Sequence, residues 1–161
     1  MVDAHASAVR RYLYRRLIGS ADPASTADDL TADVLVVAWR RRDDVPEGAE
    51  LPWLYAVARR VLANYRRSPR EVLVADLGEL DAIDEADPAE IVSDDAALAA
   101  AWRSLSPRDR EVLRLVAWEG LNGAQLATAL GISEGGAAAA LSRARSRFEQ
   151  SLAGVQGTPP A

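Results

Sequence analysis

The sequence predicts an all-α protein with two small helical domains joined by an acidic linker, the C-terminal domain containing a helix-turn-helix. Apolar residues recur at spacings of three and four along most of the chain, which is the helical period. Strand signals are absent. The length of 161 residues fits one domain or two small ones.

Charge divides the chain into three parts. Residues 1–70 hold 12 arginines and 9 acidic residues, residues 71–102 hold 10 acidic residues and no basic one, and residues 103–161 hold 7 arginines and 5 acidic residues. The net charge of −5 therefore hides two mildly basic ends around an acidic centre. We expect the following boundaries: an N-terminal domain at 1–70, a linker at 71–93, a C-terminal domain at 94–152 and a disordered tail at 153–161.

Composition argues against an enzyme and against a cofactor. The chain has no cysteine and one histidine, His5, so clusters of cysteine or histidine that bind metal or perform catalysis are excluded. A membrane span needs about 18 consecutive apolar residues, and no apolar run in the sequence is that long. The N-terminus lacks a charged region followed by an apolar signal segment, so a cytoplasmic protein without membrane insertion is expected.

Three helices are expected in the N-terminal domain, at residues 3–18, 25–42 and 50–68. Gly19 closes the first helix, whose Arg15 and Arg16 are typical of a solvated face, and Ser25 is expected to cap the second. The second helix is apolar on two sides, which leaves two interpretations: a helix buried all round, or a helix whose second face docks on a partner protein. The first face holds Leu30, Val34, Val37 and Ala38, and the second holds Leu35, Val36 and Trp39.

The third helix separates apolar from basic residues. Its expected buried stripe is Leu54, Val57, Ala58, Val61, Leu62 and Tyr65, and the opposite side carries Arg59, Arg60, Arg66 and Arg67. A merely solvated face usually mixes charges, whereas no acidic residue lies between Leu51 and Arg70. The pattern favours contact with nucleic acid.

Residues 94–152 predict four helices, the last two forming the helix-turn-helix. Ser106 and Pro107 start the second of the four, a break at Gly131 separates the third from the fourth, and Ser133 caps the fourth. The expected packing stripe of the fourth helix is Ala137, Leu141, Ala144, Phe148 and Leu152. The opposite face, expected to enter a DNA groove, is Gly136, Ala139, Ala140, Arg143 and Arg147. The alternative is a helical hairpin that packs on a protein.

Three segments together resemble the extracytoplasmic-function group (group IV) of bacterial sigma factors, in the sigma-70 family. ADDLTADVLVVAWRR is similar to the helix that binds the polymerase clamp, LPWLYAVARRVLANYRRS to the −10 helix, and LSPRDREVLRLVAWEGLNGAQLATALGIS to the −35 domain. The resemblance covers nearly all of residues 8–152. It implies a promoter-specificity factor with core RNA polymerase, promoter DNA and an anti-sigma factor as partners, and no small-molecule substrate.

The resemblance also implies roles for particular residues. Polymerase binding would use Asp29, Asp33, Leu35, Val36, Trp39 and Arg40. The −10 element would be bound by Arg59, Arg60, Asn64, Arg66 and Arg67, and the loop at 43–50 would capture a flipped base. The −35 element would be bound by Ser133, Gly136, Ala139, Ala140, Arg143 and Arg147. The chain departs from the family at Ala32, where glutamine is common, and at Ala138 and Ala140, where basic residues are common.

Two other hypotheses remain at this point. A helix-turn-helix regulator would bind duplex DNA without core polymerase. A protein-interaction module would have lost promoter reading, which the alanine-rich last helix keeps open.

Overall fold

The computed structural model describes residues 2–67 and 95–157, and every regular element in those residues is a helix, which confirms the all-α fold. The predicted linker at 71–93 lies outside the described residues, as do the last four residues of the predicted tail. The elements are α1 Val2–Leu17, α2 Pro23–Arg40, a 3-10 turn Arg42–Asp44, α3 Glu50–Arg67, α4 Ala96–Arg103, α5 Pro107–Ala117, α6 Gly123–Leu130 and α7 Glu134–Gln156.

Helix α2 begins earlier than its sequence predicts. Asp22 is the N-cap, its carboxylate accepts the Ser25 N–H at 3.1 Å, and Pro23 occupies the first helical turn. Ser25 as N-cap is therefore wrong. Proline has no N–H to lose at the first position and its φ is already helical, so the Asp22-Pro23 pair starts the helix there.

One face of α2 is buried and the other is open. Leu30, Val34, Val37 and Ala38 expose at most 2% of their surface, as expected of a core face. On the second face, Val36 is 43% exposed and Trp39 is 67% exposed. The interpretation of α2 as a helix buried all round is therefore wrong, and the apolar second face is available to a partner.

Helix α3 is buried on more sides than the stripe predicts. The predicted residues from Leu54 to Leu62 are buried and Tyr65 is half-buried, but Tyr55, Ala56 and Ala63 are buried as well. Helices α1 and α2 pack on one part of α3, and α6 of the C-terminal half packs on another. The prediction of a single buried face on α3 was wrong, because a sequence pattern does not show packing between distant segments.

Local capping defines the C-terminal helices. Asp95 caps α4, Ser106 caps α5 with Pro107 in its first turn, and Asn122 forms a capping box with Gln125 at the start of α6. These side chains accept the backbone N–H groups that a helix start leaves unpaired. Helix α5 ends at Ala117, three residues before Gly120, where the glycine in the sequence predicts the end of the helix.

The turn between α6 and α7 is the predicted one. Gly131 has φ of 67°, in the left-handed region that glycine adopts without strain, and Ser133 caps α7 through its hydroxyl. Helix α7 continues to Gln156, so the predicted end at Leu152 was four residues short. Buried residues of both halves form one continuous apolar core.

Candidate nucleic-acid and polymerase interfaces

The basic residues of α3 are held by the protein rather than projected freely. The Arg59 guanidinium donates through Nη2 to the Leu130 carbonyl oxygen at 3.2 Å, and Arg66 Nη2 donates to the Arg16 carbonyl oxygen at 2.8 Å. Arg67 is exposed, and its Nη2 donates to Asn64 Oδ1 at 2.7 Å. The expectation of four guanidiniums on an open face was therefore wrong for Arg59 and Arg66 in this conformation.

Three positively charged side chains lie close together around Arg60, the second arginine of α3. Burial lowers the pKa of Arg60 from its ordinary value, and the positive charges of Arg41 and Arg59 lower it further. Three neighbouring guanidiniums repel one another, and an anion placed among them relieves that repulsion. The electrostatics of this part of α3 therefore suit a phosphate backbone.

The loop that precedes α3 is open and polar. Gly48 has φ of 76°, and its N–H donates to the Glu50 carboxylate at 3.1 Å. The pKa of Glu50 lies below its ordinary value because the carboxylate accepts the backbone N–H groups of Glu50 and Gly48. Half of the residues from 43 to 50 are exposed and the others are half-buried, so the loop presents part of its surface to solvent beside α3.

Helix α7 has an exposed face of small residues. Ala139 and Arg143 are exposed as predicted, and Ser133 Oγ accepts the Gly136 N–H at 3.0 Å. A methyl group on Gly136 would lie 3.1 Å from Ser133 Oγ, so the cap and the glycine are closely packed. Five exposed residues of α7 are spaced by three or four positions or are adjacent, so they lie on one side of the helix. They are Gly135, Ala138, Ala139, Ser142 and Arg143.

Ala140 does not belong to this exposed face. It is only 5% exposed and forms a buried row with Ala137 and Ala144, which are fully buried. The assignment of Ala140 to the groove face was wrong, because positions three and four apart share a face and these three alanines are spaced by three and four. Ser142, which the sequence prediction missed, occupies the exposed position instead.

Arg147 is held against α5. Its Nη1 donates to Asp109 Oδ2 at 2.8 Å, and Asp109 is buried while 56% of the Arg147 side chain stays exposed. The prediction missed Asp109, whose only sequence signal is an acidic residue in the first turn of α5. The pair positions Arg147 at the edge of the exposed α7 face.

The exposed side of α2 combines acidic and apolar groups. Asp29 is exposed and Asp33 is partly buried one turn later. Burial raises the pKa of Asp33, and the negative charge of Asp29 raises it further. Trp39 lies at the end of the same helix, with the Arg42 guanidinium 5.2 Å from the ring centroid. The clustered carboxylates suit a basic partner, and the tryptophan suits an apolar pocket. Leu35 is half-buried, and Val36 and Arg40 complete the exposed side.

A polar cluster that the sequence prediction missed joins α1 to α5. Arg16, expected on a solvated face, is 2% exposed and pairs with Glu111 at 3.0 Å and with Glu119 at 3.2 Å. Tyr12 Oη donates to Glu111 at 2.7 Å. The sequence held no signal for this pairing, because the partners lie 95 or more residues apart.

Metal clusters and membrane-spanning helices are absent from residues 2–67 and 95–157. No group of three histidine, cysteine or acidic side chains there is arranged to hold a metal ion. None of the helices in those residues is long and apolar enough to span a membrane.

Comparison with known proteins identifies the family. Residues 1–71 match the sigma-70 region 2 model and residues 95–148 match the sigma-70 region 4 model. The chain is 34% identical over 142 residues to the ECF RNA polymerase sigma factor BldN of Streptomyces coelicolor, covering 84% of this chain and 52% of BldN. It is 31% identical over 140 residues to the ECF RNA polymerase sigma factor SigL of Mycobacterium tuberculosis, covering 84% of this chain and 77% of SigL. The chain thus spans about half the length of BldN and about three quarters of SigL.

A solved structure agrees with these relatives. The sigma factor RpoE of Bartonella quintana, crystallised in complex with the anti-sigma factor NepR, superposes with a TM-score of 0.55 at 26% identity, over 93% of this chain and 95% of RpoE. The two regions occur in this chain in the order that the resemblance predicted, which confirms it. The chain belongs to the sigma-70 family of RNA polymerase sigma factors, in the extracytoplasmic-function group.

Proposed function

We propose that the chain is a promoter-specificity subunit that binds core RNA polymerase and directs initiation at promoters with −10 and −35 elements. The proposal rests on the presence of both sigma-70 regions in one chain. Region 2 contains the basic helix α3, and region 4 contains the helix-turn-helix. The factor itself would perform no catalysis. Promoter DNA and polymerase share the bacterial cytoplasm, which is where we place its action.

The polymerase-binding surface is proposed on the exposed side of α2. Trp39 would be the anchor, since it is the most exposed large apolar side chain of the described residues. Aromatic side chains that fill a pocket on the partner supply much of the energy of an interface. The rest of the surface is Asp29, Asp33, Leu35, Val36 and Arg40, whose acidic members would meet basic groups on polymerase.

The −10 element is proposed to bind along α3. Arg59, Arg60, Asn64, Arg66 and Arg67 would contact the DNA backbone and bases, and the open loop at 43–50 would receive a flipped base. Flipping costs a few kcal/mol, and contacts in a pocket offset that cost. Arg59 and Arg66 donate to protein carbonyl groups in this structure, so those two hydrogen bonds must be exchanged for contacts to DNA.

The −35 element is proposed to bind the exposed face of α7. Ala139 can touch a thymine methyl, Arg143 can reach guanine or a phosphate, and the N–H groups near Ser133 can hold a phosphate. Gly136 would allow close approach of the backbone, and Arg147 would add a backbone contact at the edge. Because Ala138 replaces a basic residue, we expect weaker binding with a smaller dependence on salt.

The segments around these surfaces complete the proposal. The N-terminal domain at 1–70 and the C-terminal domain at 94–152 would sit on separate DNA elements, and the acidic linker at 71–93 would lie in basic channels of polymerase. RpoE is described with the anti-sigma factor NepR. We propose that an anti-sigma factor also binds this chain, and the exposed apolar side of α2 is a surface for it.

Run-off transcription with core polymerase tests the proposal directly. A library of genomic promoters should yield transcripts that depend on this chain, and these should map to a shared pair of elements. Absence of stimulation from every promoter would refute the proposed function. If transcription is not stimulated and the chain binds duplex DNA tightly without polymerase, the helix-turn-helix regulator is favoured.

A further inference from the structure

We propose that Glu134 selects cytosine in the −35 element, at the position where the start of α7 meets the edges of the bases. The inference rests on the proposed function, because it names a base that the proposed −35 surface reads. Glu134 is the first residue of α7 and is exposed. Phosphates repel a carboxylate, so this side chain can favour DNA binding only through a contact with a base.

Glu134 lies on the open side of α7. It precedes Ala138 by four positions and Ser142 by eight, and residues four positions apart are neighbours on one side of a helix. All three residues are exposed. The open side therefore presents a carboxylate, a methyl group and a hydroxyl in one row. The row begins at the N-terminal end of α7, which is the end that contacts base edges in a helix-turn-helix.

The Glu134 carboxylate is not used to cap α7. Ser133 Oγ caps the helix by accepting the Gly136 N–H at 3.0 Å. Within the part of the chain that the structure describes, no ion pair or side-chain hydrogen bond involves Glu134. An acidic residue at a helix start also interacts favourably with the helix dipole, which is a purely structural role. The carboxylate is thus free to accept hydrogen bonds from DNA.

The start of α7 can approach the bases closely. Gly135 follows Glu134, and no atom lies within 4 Å of the place where a Cβ of Gly135 would be. Ala138 and Ala139 extend only a methyl group from the next turn. Because these side chains are small, the helix backbone can come near the floor of the major groove, which brings the Glu134 carboxylate within reach of a base.

The other residues of the exposed α7 face distinguish bases less well. Gly135, Ala138 and Ala139 have no polar side-chain atom. The Ser142 hydroxyl can donate or accept, so it suits several bases. Arg143 can bind either a guanine or a phosphate. Glu134 differs from all of them because an ionised carboxylate only accepts hydrogen bonds.

A group that only accepts favours cytosine. In the major groove cytosine presents its N4 amino group, which is a donor, whereas adenine presents the N6 donor beside the N7 acceptor. Guanine presents two acceptors, and thymine presents the O4 acceptor beside its methyl group. Glu134 should therefore rank cytosine above adenine, and both above guanine and thymine.

The geometry of α7 also predicts where a second selected base lies. Arg143 follows Glu134 by nine residues, which is about 13 Å along a helix that rises about 1.5 Å per residue. That length corresponds to about four base pairs at about 3.4 Å each. A guanine bound by Arg143 should lie about four base pairs from the cytosine pair, with Ala138 and Ala139 over the base pairs between them.

A promoter library with a randomised −35 element tests the assignment. Core polymerase with this chain transcribes the library, and a barcode in the transcribed part of each template reports which −35 sequence was used. The variants are Glu134→Ala and Glu134→Gln. Glu149→Gln is the matched control, because Glu149 is also an exposed glutamate of α7 but lies near the other end of the helix.

The parent protein and E149Q should favour cytosine over guanine or thymine about tenfold at one position of the −35 element. E134A should lose this preference, keep the preferences at other positions, and use templates without the cytosine better than the parent does. E134Q should prefer adenine at the same position, because a glutamine amide donates to N7 and accepts from N6. Melting temperatures of all variants check that α7 is folded.

Two results would overturn the assignment. The cytosine preference could persist in E134A, or output in E134A could fall by the same factor on every template, which is the result of a purely structural role. A parent protein that uses the library without any −35 preference would keep its promoter function but exclude base reading by Glu134. If the parent protein stimulates no template, the proposed function itself fails.

A modified base provides a test on an unchanged protein. The base 2-pyrimidinone lacks the 4-amino group of cytosine, and it is placed at the preferred position of one −35 template. Transcription by the parent protein should fall about tenfold, whereas that by E134A should not change, because the two changes remove the same hydrogen bond. An equal fall with both proteins would show that Glu134 does not bind the amino group.

Discussion

The two helices proposed to contact DNA differ in how their surfaces are used by the protein. On α3, Arg59 and Arg66 donate to backbone carbonyl oxygens of α6 and α1, so charge is abundant and partly occupied. On α7, the face from Gly135 to Arg143 is open but carries a single arginine. The proposed −10 surface is therefore rich in charge but partly occupied by contacts within the protein, while the proposed −35 surface is open and carries little charge. Substitutions on the two helices should separate these two properties.

Charge reversal on α3 should have the largest effect. Arg66→Glu with Arg67→Glu should replace two attractive contacts to phosphate with repulsion. Each lost contact of about 1.4 kcal/mol lowers the affinity for the −10 element tenfold. Run-off transcription should fall about 100-fold while core polymerase still binds, which a pull-down and a transcription assay measure together. Arg11→Glu with Arg103→Glu, two exposed arginines outside the proposed surfaces, is the control. Survival of full output in R66E/R67E would favour the interaction-module hypothesis.

Truncation of Trp39 should have the next largest effect, on polymerase rather than DNA. A buried aromatic anchor is worth about 2 kcal/mol or more in an interface, so Trp39→Ala should weaken core binding about 30-fold. The melting temperature should change little because the side chain is 67% exposed in the free protein. Val155→Ala alters another exposed apolar residue, on α7, and should change neither quantity. Equal core affinity in W39A and V155A would exclude Trp39 as the anchor.

Two neighbouring alanines of α7 should respond in opposite ways to arginine. Ala138→Arg adds a cation to the exposed face, so −35 affinity should rise several-fold and the slope of log affinity against log salt should steepen by about 0.9. Ala140→Arg places the same side chain in the buried row, where overpacking costs about 1–3 kcal/mol. Salt titration and thermal unfolding distinguish the two. A tighter −35 complex in A140R, without loss of stability, would contradict the buried position.

The smallest effect is expected at the start of α7. Gly135→Ala has open space around the new methyl group and should stabilise the helix by up to about 1 kcal/mol. Gly136→Ala should stabilise it less, because the methyl would lie 3.1 Å from Ser133 Oγ and disturb the cap. Thermal unfolding of both variants measures the difference. A more stable G136A than G135A would show that the cap tolerates the shift.

Local signals explain which parts of the fold were predictable. The caps at Ser106 and Ser133 and the turn at Gly131 depend on a few adjacent residues, and each was placed correctly from the sequence. Ser25 was predicted as the N-cap because serine is a common capping residue, but Pro23 favours the helix start at Asp22, which is where the structure has it. Ala140 was misplaced because helical periodicity gives the faces of α7 only to within about one residue when most positions are alanine.

Family membership and the order of the elements proposed to contact DNA follow from patterns within single segments. These patterns are the basic residues of α3, the glycine turn at Gly131, and the acidic and aromatic residues of α2. Tertiary structure decided which of these groups are free. Arg16 is buried by Glu111 and Glu119 from the other half of the chain, and Arg59 meets the carbonyl end of α6. The physical reason is the sequence distance over which each interaction acts. Helix propensity and capping act over a few residues, whereas a buried ion pair forms only when two distant segments meet and exclude water.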